Sequence, residues 1–285
     1  MNYRCPNQCN VTIQKFGYFF RKSDSKTIQR FKCTKCTRIF STATFSDCFA
    51  QKKRRVNPIL FKLLASGISM RRAGIILNIQ RMTVKRKLIF LAKQARLSHK
   101  EFLKNLAKFP IKHFQFDDLI TSHHTKLKPL TVSLAVDVDS RKILAASVAQ
   151  IPAFGHLATI SRAKYGARPS NHKQALSNVF EQIKNIVKPN AKIESDEHKL
   201  YPHFVKKYFP DSHYIRHKSI VGCVAGQGEL KRTHFDPLFK INHTFAMLRA
   251  NINRLFRRTW CTTKDPQMLM HHLQLYIEFH NSYLV

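Results

Sequence analysis

Two acidic pairs interrupt a chain that is otherwise short of acid: Asp117-Asp118, after His113-Phe114-Gln115-Phe116, and Asp196-Glu197, after Lys192-Ile193-Glu194-Ser195. Each closes a short run that reads as a strand. The chain has 16 Asp and Glu against 50 Lys and Arg, a formal net charge of +34. Carboxylates repel polyanions, so an inward-facing cluster in such a protein needs neutralising. A hard divalent cation with oxygen ligands is the usual means. A basic protein with a small acidic pocket fits a metal-dependent enzyme acting on nucleic acid. The competing reading is that Asp simply favours the turns that end strands.

Cysteine offers a second chemistry. Cys5-x3-Cys9 and Cys33-x2-Cys36 are close pairs separated by a polar, basic stretch. Tetrahedral zinc takes four soft ligands at about 2.3 Å, and two short loops supply two each. Gly17 to Arg30 reads as a strand and turn between them, with Phe19, Phe20 and Phe31 expected to cover the site. The first loop is one residue longer than the commonest spacing, and Cys48 offers a substitute ligand. Four reduced, buried thiols are the alternative, in a stretch polar for that purpose. A site with four thiolates is closed, so the zinc is expected to be structural and not catalytic. Seven cysteines, with Cys48, Cys223 and Cys261 scattered singly, do not make a secreted disulfide framework. A reducing, cytoplasmic setting is expected.

The charge exceeds what solubility requires and implies a polyanionic partner, bound less tightly as salt rises. No apolar run approaches ~20 residues and no signal peptide is visible, which argues against a membrane partner. Residues 1–112 hold 26 Lys and Arg against Asp24, Asp47 and Glu101, and the rest of the chain holds 24 against 13 acids. Binding is thus expected at the front and acid chemistry behind it.

The elements that must position these groups follow. Residues 1–50 form the zinc ribbon. Residues 51–96 read as a helix-turn-helix DNA-binding domain. In it Ile59, Leu60, Leu63 and Leu64 form a stripe ending at Gly67, and Ser69 caps a second helix with Ala73, Ile76 and Leu77 inward. Arg81 begins a third helix with Val84, Leu88 and Leu91 apolar. The exposed face of that helix is expected to carry Arg81, Lys85, Arg86 and Lys87 into a major groove; a plain helical bundle with solvated charges is the alternative. Residues 97–112 read as a helical connector ending at Pro110. From 113 to 285 the order is three strands (114–119, 130–138, 142–150), helix (173–186), strand (191–195), helix (201–208), strand (213–216), long helix. This α/β order is compatible with a ribonuclease-H-like mixed-sheet domain, whose central sheet brings distant carboxylates to one end.

The run Ile241 to Thr259, with Cys261-Thr262-Thr263-Lys264 downstream, resembles the catalytic C-terminal helix of insertion-sequence transposases that join a zinc ribbon and helix-turn-helix to a DDE domain. The likeness is nearest to the type named after the first insertion sequence, with the ISXO-type group as a relative. Phe116-Asp117-Asp118 is similar to that family's first-acid motif, and Ser195 to Tyr201 to its second. The resemblance implies a bacterial DNA transposase that binds terminal inverted repeats and nicks and joins double-stranded DNA, as a homo-oligomer on DNA in the nucleoid. It implies Mg²⁺ (or Mn²⁺) held by Asp117 and Asp196. Two such ions about 3.5–4 Å apart can serve the attacking and leaving oxygens of an in-line displacement.

The chain departs from the family at the third position, where Asn242 stands in place of Glu. Glu229 and then Asp236 are the next candidates for the third acid, and His243 is a candidate auxiliary ligand. Arg249 follows Asn242 by two helical turns and shares its face, as a phosphate contact or an ordinary surface arginine. Arg254, Arg257 and Arg258 extend the strip towards phosphates. Trp260 is expected in the core, or stacked on an unpaired base. The pairs His123-His124 and His271-His272 are expected not to face one another, and Cys223 and Cys261 to be structural. The helix from Met268 to Phe279, striped by Leu269, Leu273, Tyr276 and Ile277, is expected to be core or a dimer face. Two further readings remain at this stage: a transposase-derived DNA-binding protein without activity, and a nuclease that performs no strand transfer.

Overall fold

The computed structural model describes residues 4–22, 25–218, 236–256 and 258–285. Glu229, Arg257 and Cys223 lie outside them. The chain divides into two compact units, Met1–Pro58 and Ile59–Val285.

In the first unit, β1 (Ile13–Arg21), β2 (Lys26–Cys33) and β3 (Ile39–Ser41) form an antiparallel sheet in that order. Gly17, at φ +61°, takes the left-handed conformation needed at the bulge between Lys15 and Tyr18. Phe31 and Phe40 are buried with their rings 5.9 Å apart, and Phe45 meets Phe40 edge-on at 5.7 Å. Phe19 and Phe20, expected over the cysteines, are exposed instead. The register gives the reason: Cys33 pairs with Ile13 at one end of the hairpin, whereas Phe19 and Phe20 pair with Ile28 and Thr27 near the other.

The second unit opens with α1 (Asn57–Ala65), which begins in the residues before it, then α2 (Met70–Ile76) and α3 (Arg81–Leu106). Gly67 bends the chain between α1 and α2 at φ +76°. The Ser69 side chain caps α2 by accepting from Arg72 N–H. Gly74 permits close packing of α2 on the next turn, because a Cβ there would lie 2.8 Å from Ile79 O. Ile76, expected inward, is exposed, and Ala73 and Gly74 take the buried face. The third helix continues to Leu106, through most of the expected helical connector.

Behind these helices stands a five-stranded mixed sheet ordered β6-β5-β4-β7-β8, from β4 (Ile111–His123), β5 (Thr125–Asp137), β6 (Ile143–Gln150), β7 (Val187–Asp196) and β8 (His213–His217). The first three are antiparallel neighbours, and β4, β7 and β8 run parallel. Among the described residues, the α-helices α4 (Leu157–Tyr165), α5 (His172–Ile183), α6 (Tyr201–Tyr208), α7 (Phe239–Asn251) and α8 (Pro266–Phe279) accompany the sheet. Phe114 and Phe116 meet α5 and α6 in one core through Phe180, Phe204 and Val205. From the other side α7 reaches the sheet where Ile241 N–H donates to Gln115 Oε1 at 3.1 Å. Among the described residues no helix is long and apolar enough to cross a membrane.

The long helix expected over Ile241–Thr259 ends at Asn251. Asn251 turns its side chain back to Met247 O, and its own carbonyl accepts Gly67 N–H at 2.7 Å. Ile252 is then extended, and short 3₁₀ turns follow. Asn-Ile-Asn is a poor helix continuation, since Asn competes for backbone partners and Ile loses side-chain freedom.

Candidate active site and cysteine cluster

The parallel register of β4 on β7 pairs Gln115 with Glu194, and the same offset brings Asp117 level with Asp196. The charge of Asp196 accordingly bears on Asp117, 79 residues away in sequence. On the next strand, His217 pairs with Asp196. Asp117 and Asp118 do not end a strand as expected; they sit inside a 13-residue one. The long β5 partner explains this, because it pairs with β4 from Phe114 to His123. Asp196 does close its strand, and Glu197 beyond it is exposed.

Four carboxylates near this centre are distinguished by their partners. Asp118 accepts from Thr131 Oγ1 (2.8 Å), Ser133 Oγ, His172 Nε2 and Tyr201 OH (2.6 Å). Burial opposes its charge, but these partners, His172 first, hold it below the ordinary carboxylate range. Glu194 is similarly saturated: His113 Nε2 at 2.8 Å, Gln115 Nε2 at 2.9 Å, Lys192 Nζ at 2.7 Å and His217 Nε2 at 3.3 Å. Against its burial they lower it to about 2.

Asp117 is the opposite case. Among the described residues it accepts from Asp118 N–H at 2.7 Å and Tyr201 OH at 3.2 Å, both on Oδ1. Burial, and then the neighbouring charge of Asp196, push it up to about 7. No described cation is paired with it within 4 Å, in a chain of net charge +34. Among the described residues Asp196 accepts His198 N–H, at 2.9 Å. A hard oxygen donor pair with a free charge is suited to a divalent cation, and Asp118 and Glu194 are not available for that purpose.

At the third position Asn242 is half-buried on α7 and donates through Nδ2 to Asp236 Oδ2 at 2.9 Å. Asp236 Oδ1 also accepts Leu238 N–H at 3.0 Å. Two of the third-position candidates are therefore bonded to each other. His243 faces Arg141 Nη2 through Nδ1, and burial with that cation lowers its pKa. Among the described residues, no three acids or histidines bring ligand atoms within 4.8 Å of one another; the four cysteines alone do so.

Those four, Cys5, Cys9, Cys33 and Cys36, could hold a metal ion such as zinc. Cys5 and Cys33 are buried, and Cys5 Sγ lies 3.5 Å from Cys36 Sγ. Burial opposes ionisation of Cys5, but Asn7 N–H and the Cys36 thiol bring it down to about 7. Burial and the other thiols push Cys9 up to about 12. Such crowding lets the set ionise together only around a cation. Cys48 is not one of the four; its sulfur accepts from Asn57 Nδ2.

Of the expected DNA-binding residues, Arg81 and Arg86 are exposed on α3 and Lys85 is half-buried. Lys87 is buried, contrary to expectation, because its position falls on the stripe of Val84 and Leu88. Arg249 is half-buried on α7. Arg254 does not join a phosphate strip: Nε donates to His272 Nδ1 at 2.9 Å and Nη1 to Thr263 Oγ1 at 3.4 Å, tying α7's exit to α8. Arg258 is exposed, 5.8 Å from the ring of Trp260. Trp260, expected in the core, is 73% exposed on a 3₁₀ turn. The His123 and His124 rings do meet, 4.8 Å apart, because His124 takes φ +64° at the turn into β5. Cys261 is buried, as are Leu269, Leu273, Tyr276 and Ile277 of α8.

Sequence reasoning missed Tyr201, His172 and the donors around Glu194. Alternation gave the only available signal, since His113, Gln115 and Asp117 share one parity, as do Lys192, Glu194 and Asp196. No known family model matches the chain, and no curated protein matches it significantly.

Proposed function

We propose that this chain is a DNA transposase with a zinc ribbon and helix-turn-helix at its front and a ribonuclease-H-like catalytic domain behind. One observation carries the reading: Asp117 and Asp196 each lie two residues beyond the last pair of the parallel β4–β7 ladder, and Asp117 is left with its charge uncompensated near a second acid. The two would hold Mg²⁺ or Mn²⁺, which when bound supplies Lewis-acid stabilisation of phosphoryl and leaving oxygens. Asp118 and Tyr201 fix Asp117 through its Oδ1 and leave Oδ2 for the ion. Asn242 would add a neutral oxygen, and Arg249 on the same helix face a phosphate contact. Arg81, Lys85 and Arg86 would place α3 on the duplex, with Arg258 adding a backbone contact. The nucleophile would be water for nicking and a DNA 3′-hydroxyl for joining, with no covalent protein intermediate. The double-stranded ends imply at least two copies of the chain on DNA.

A second reading, a transposase-derived DNA-binding protein without activity, is favoured by the Asn242–Asp236 hydrogen bond, which occupies the third position with a neutral amide. Labelled DNA carrying the sequences that flank the gene separates the two. With Mg²⁺ or Mn²⁺, boundary nicking lost in Asp196→Asn supports the enzyme. Binding without nicking, with nicking restored by Asn242→Glu, supports the second reading. Neither binding nor cutting refutes both.

A further inference from the structure

The hairpin of the first unit carries aromatic side chains that its cysteine cluster does not use. Tyr18 pairs with Gln29 and Phe20 with Thr27, far from the end where Cys33 pairs with Ile13. Two residues apart on one strand, Tyr18 and Phe20 project from one face, roughly 6.6–6.8 Å apart along it. They are 63% and 60% exposed. The bulge before them is fixed, because Gln29 Nε2 donates to both Gly17 O at 2.8 Å and Arg30 O at 2.9 Å. Phe16 is treated differently: the Arg30 guanidinium stands 5.5 Å and the Lys32 ammonium 5.4 Å from its ring centre. That ring already has its cations.

Lys15 on the same strand and Lys22 just beyond its end are exposed. Residues 1–58 hold 13 Lys and Arg against Asp24 and Asp47. Two large rings held open in a cationic field suit a partner that is anionic and presents flat π faces. A stacked duplex hides those faces; unpaired nucleotides display them, and sheet aromatics bind them base by base. We propose that Tyr18 and Phe20 form a stacking platform for single-stranded DNA, with Lys15 and Lys22 on its phosphates. The choice of DNA over RNA rests on the function proposed above; the platform does not.

The test uses the full zinc-loaded chain and fluorescein-labelled dT15, rU15 and a mixed-sequence duplex, read by anisotropy over a salt series. Tyr18→Leu/Phe20→Leu keeps apolar area but removes the π faces, and is expected to weaken dT15 binding by roughly tenfold or more. Duplex affinity should stay within about twofold in that variant, because α3 is untouched. Tyr18→Phe/Phe20→Tyr should bind dT15 as the wild type does, with zinc content unchanged in both. Lys15→Ala/Lys22→Ala should flatten the salt slope for dT15 by about 1.4, from about 0.7 per phosphate contact. Unchanged dT15 affinity in the Leu pair overturns the proposal, and so does equal loss of dT15 and duplex. A wild-type dimer that the Leu pair breaks, in sedimentation, assigns the face to a second copy and also overturns it. Tighter binding of rU15 than dT15 overturns the choice of DNA. Intact dT15 binding with no DNA cleavage would count against the transposase reading alone.

Discussion

Replacing Asp117 by Asn should stabilise the protein at alkaline pH. Asn keeps Oδ1, the atom that accepts Asp118 N–H and Tyr201 OH, so both hydrogen bonds survive the change. It removes a charge that burial and Asp196 disfavour, which raise the carboxyl from 3.8 to about 7. A folded-state pKa above the unfolded one means that the native state binds more protons between those values. Wild-type stability relative to the variant therefore falls as pH rises from about 4 to about 7 and is level above that. A shift of about three units corresponds to an upper limit of about 4 kcal/mol. The group is only half-buried, so about 2–4 kcal/mol is expected.

The assay is urea unfolding of both proteins from pH 4 to 9, zinc-loaded and without Mg²⁺, plotted as the difference between them. Groups common to both proteins cancel in that difference. The variant should match the wild type near pH 4 and exceed it by the full amount at pH 8. Adding Mg²⁺ at pH 8 should recover stability in the wild type, by about 2.7 kcal/mol at a hundredfold excess over Kd, and much less in the variant. Parallel curves from pH 4 to 9 would falsify the claim that Asp117 carries an uncompensated charge.

Four further outcomes are expected. Glu194→Gln should cost about 3 kcal/mol at neutral pH, since the native pKa is lowered from 4.5 to about 2; the penalty should vanish as pH falls through that window in the same unfolding assay. His172→Phe should cost about 1–3 kcal/mol at pH 7 by removing a buried donor to Asp118, read as a lower urea midpoint. Cys33→Ser should abolish the one zinc per chain expected of the cysteine cluster, read by mass spectrometry of metal content, and should increase protease cleavage within the first unit. Gly67→Ala should lower stability by about 1–3 kcal/mol, because φ is +76° and the new Cβ would lie 3.1 Å from Phe256 Cζ and 3.2 Å from Ala250 O.

Local signals made the secondary structure legible, and global ones did not. Val, Ile and alternating small residues marked β5 and β6, and the 201–208 helix was found with its ends in place. The Leu157–Tyr165 helix was missed, since Pro152, Gly155 and Gly166 around it read as loop. The 241–259 stretch is expected as one helix from its resemblance to a family's catalytic helix, and that resemblance does not register the break that Asn251, Ile252 and Asn253 make. Trp260 was assigned to the core from its type alone, although type sets only a preference for burial.

The acidic site shows the same boundary more sharply. Composition singled out Asp117, Asp118 and Asp196 because acid is scarce, but it could not rank them. Asp117 and Asp118 are chemically identical neighbours in sequence. What separates them is strand parity and partner supply. Asp118 meets Thr131 and Ser133 on β5, His172 on α5 and Tyr201 on α6, elements that arrive from 13 to 83 residues away. Asp117 meets a second carboxylate instead, delivered by a parallel pairing 79 residues distant. Glu194, unremarked beside Asp196, is tied by two histidines, a lysine and a glutamine. A charged group is free for chemistry only when the fold leaves it unpaired, and that is decided by register, which single-residue patterns do not encode.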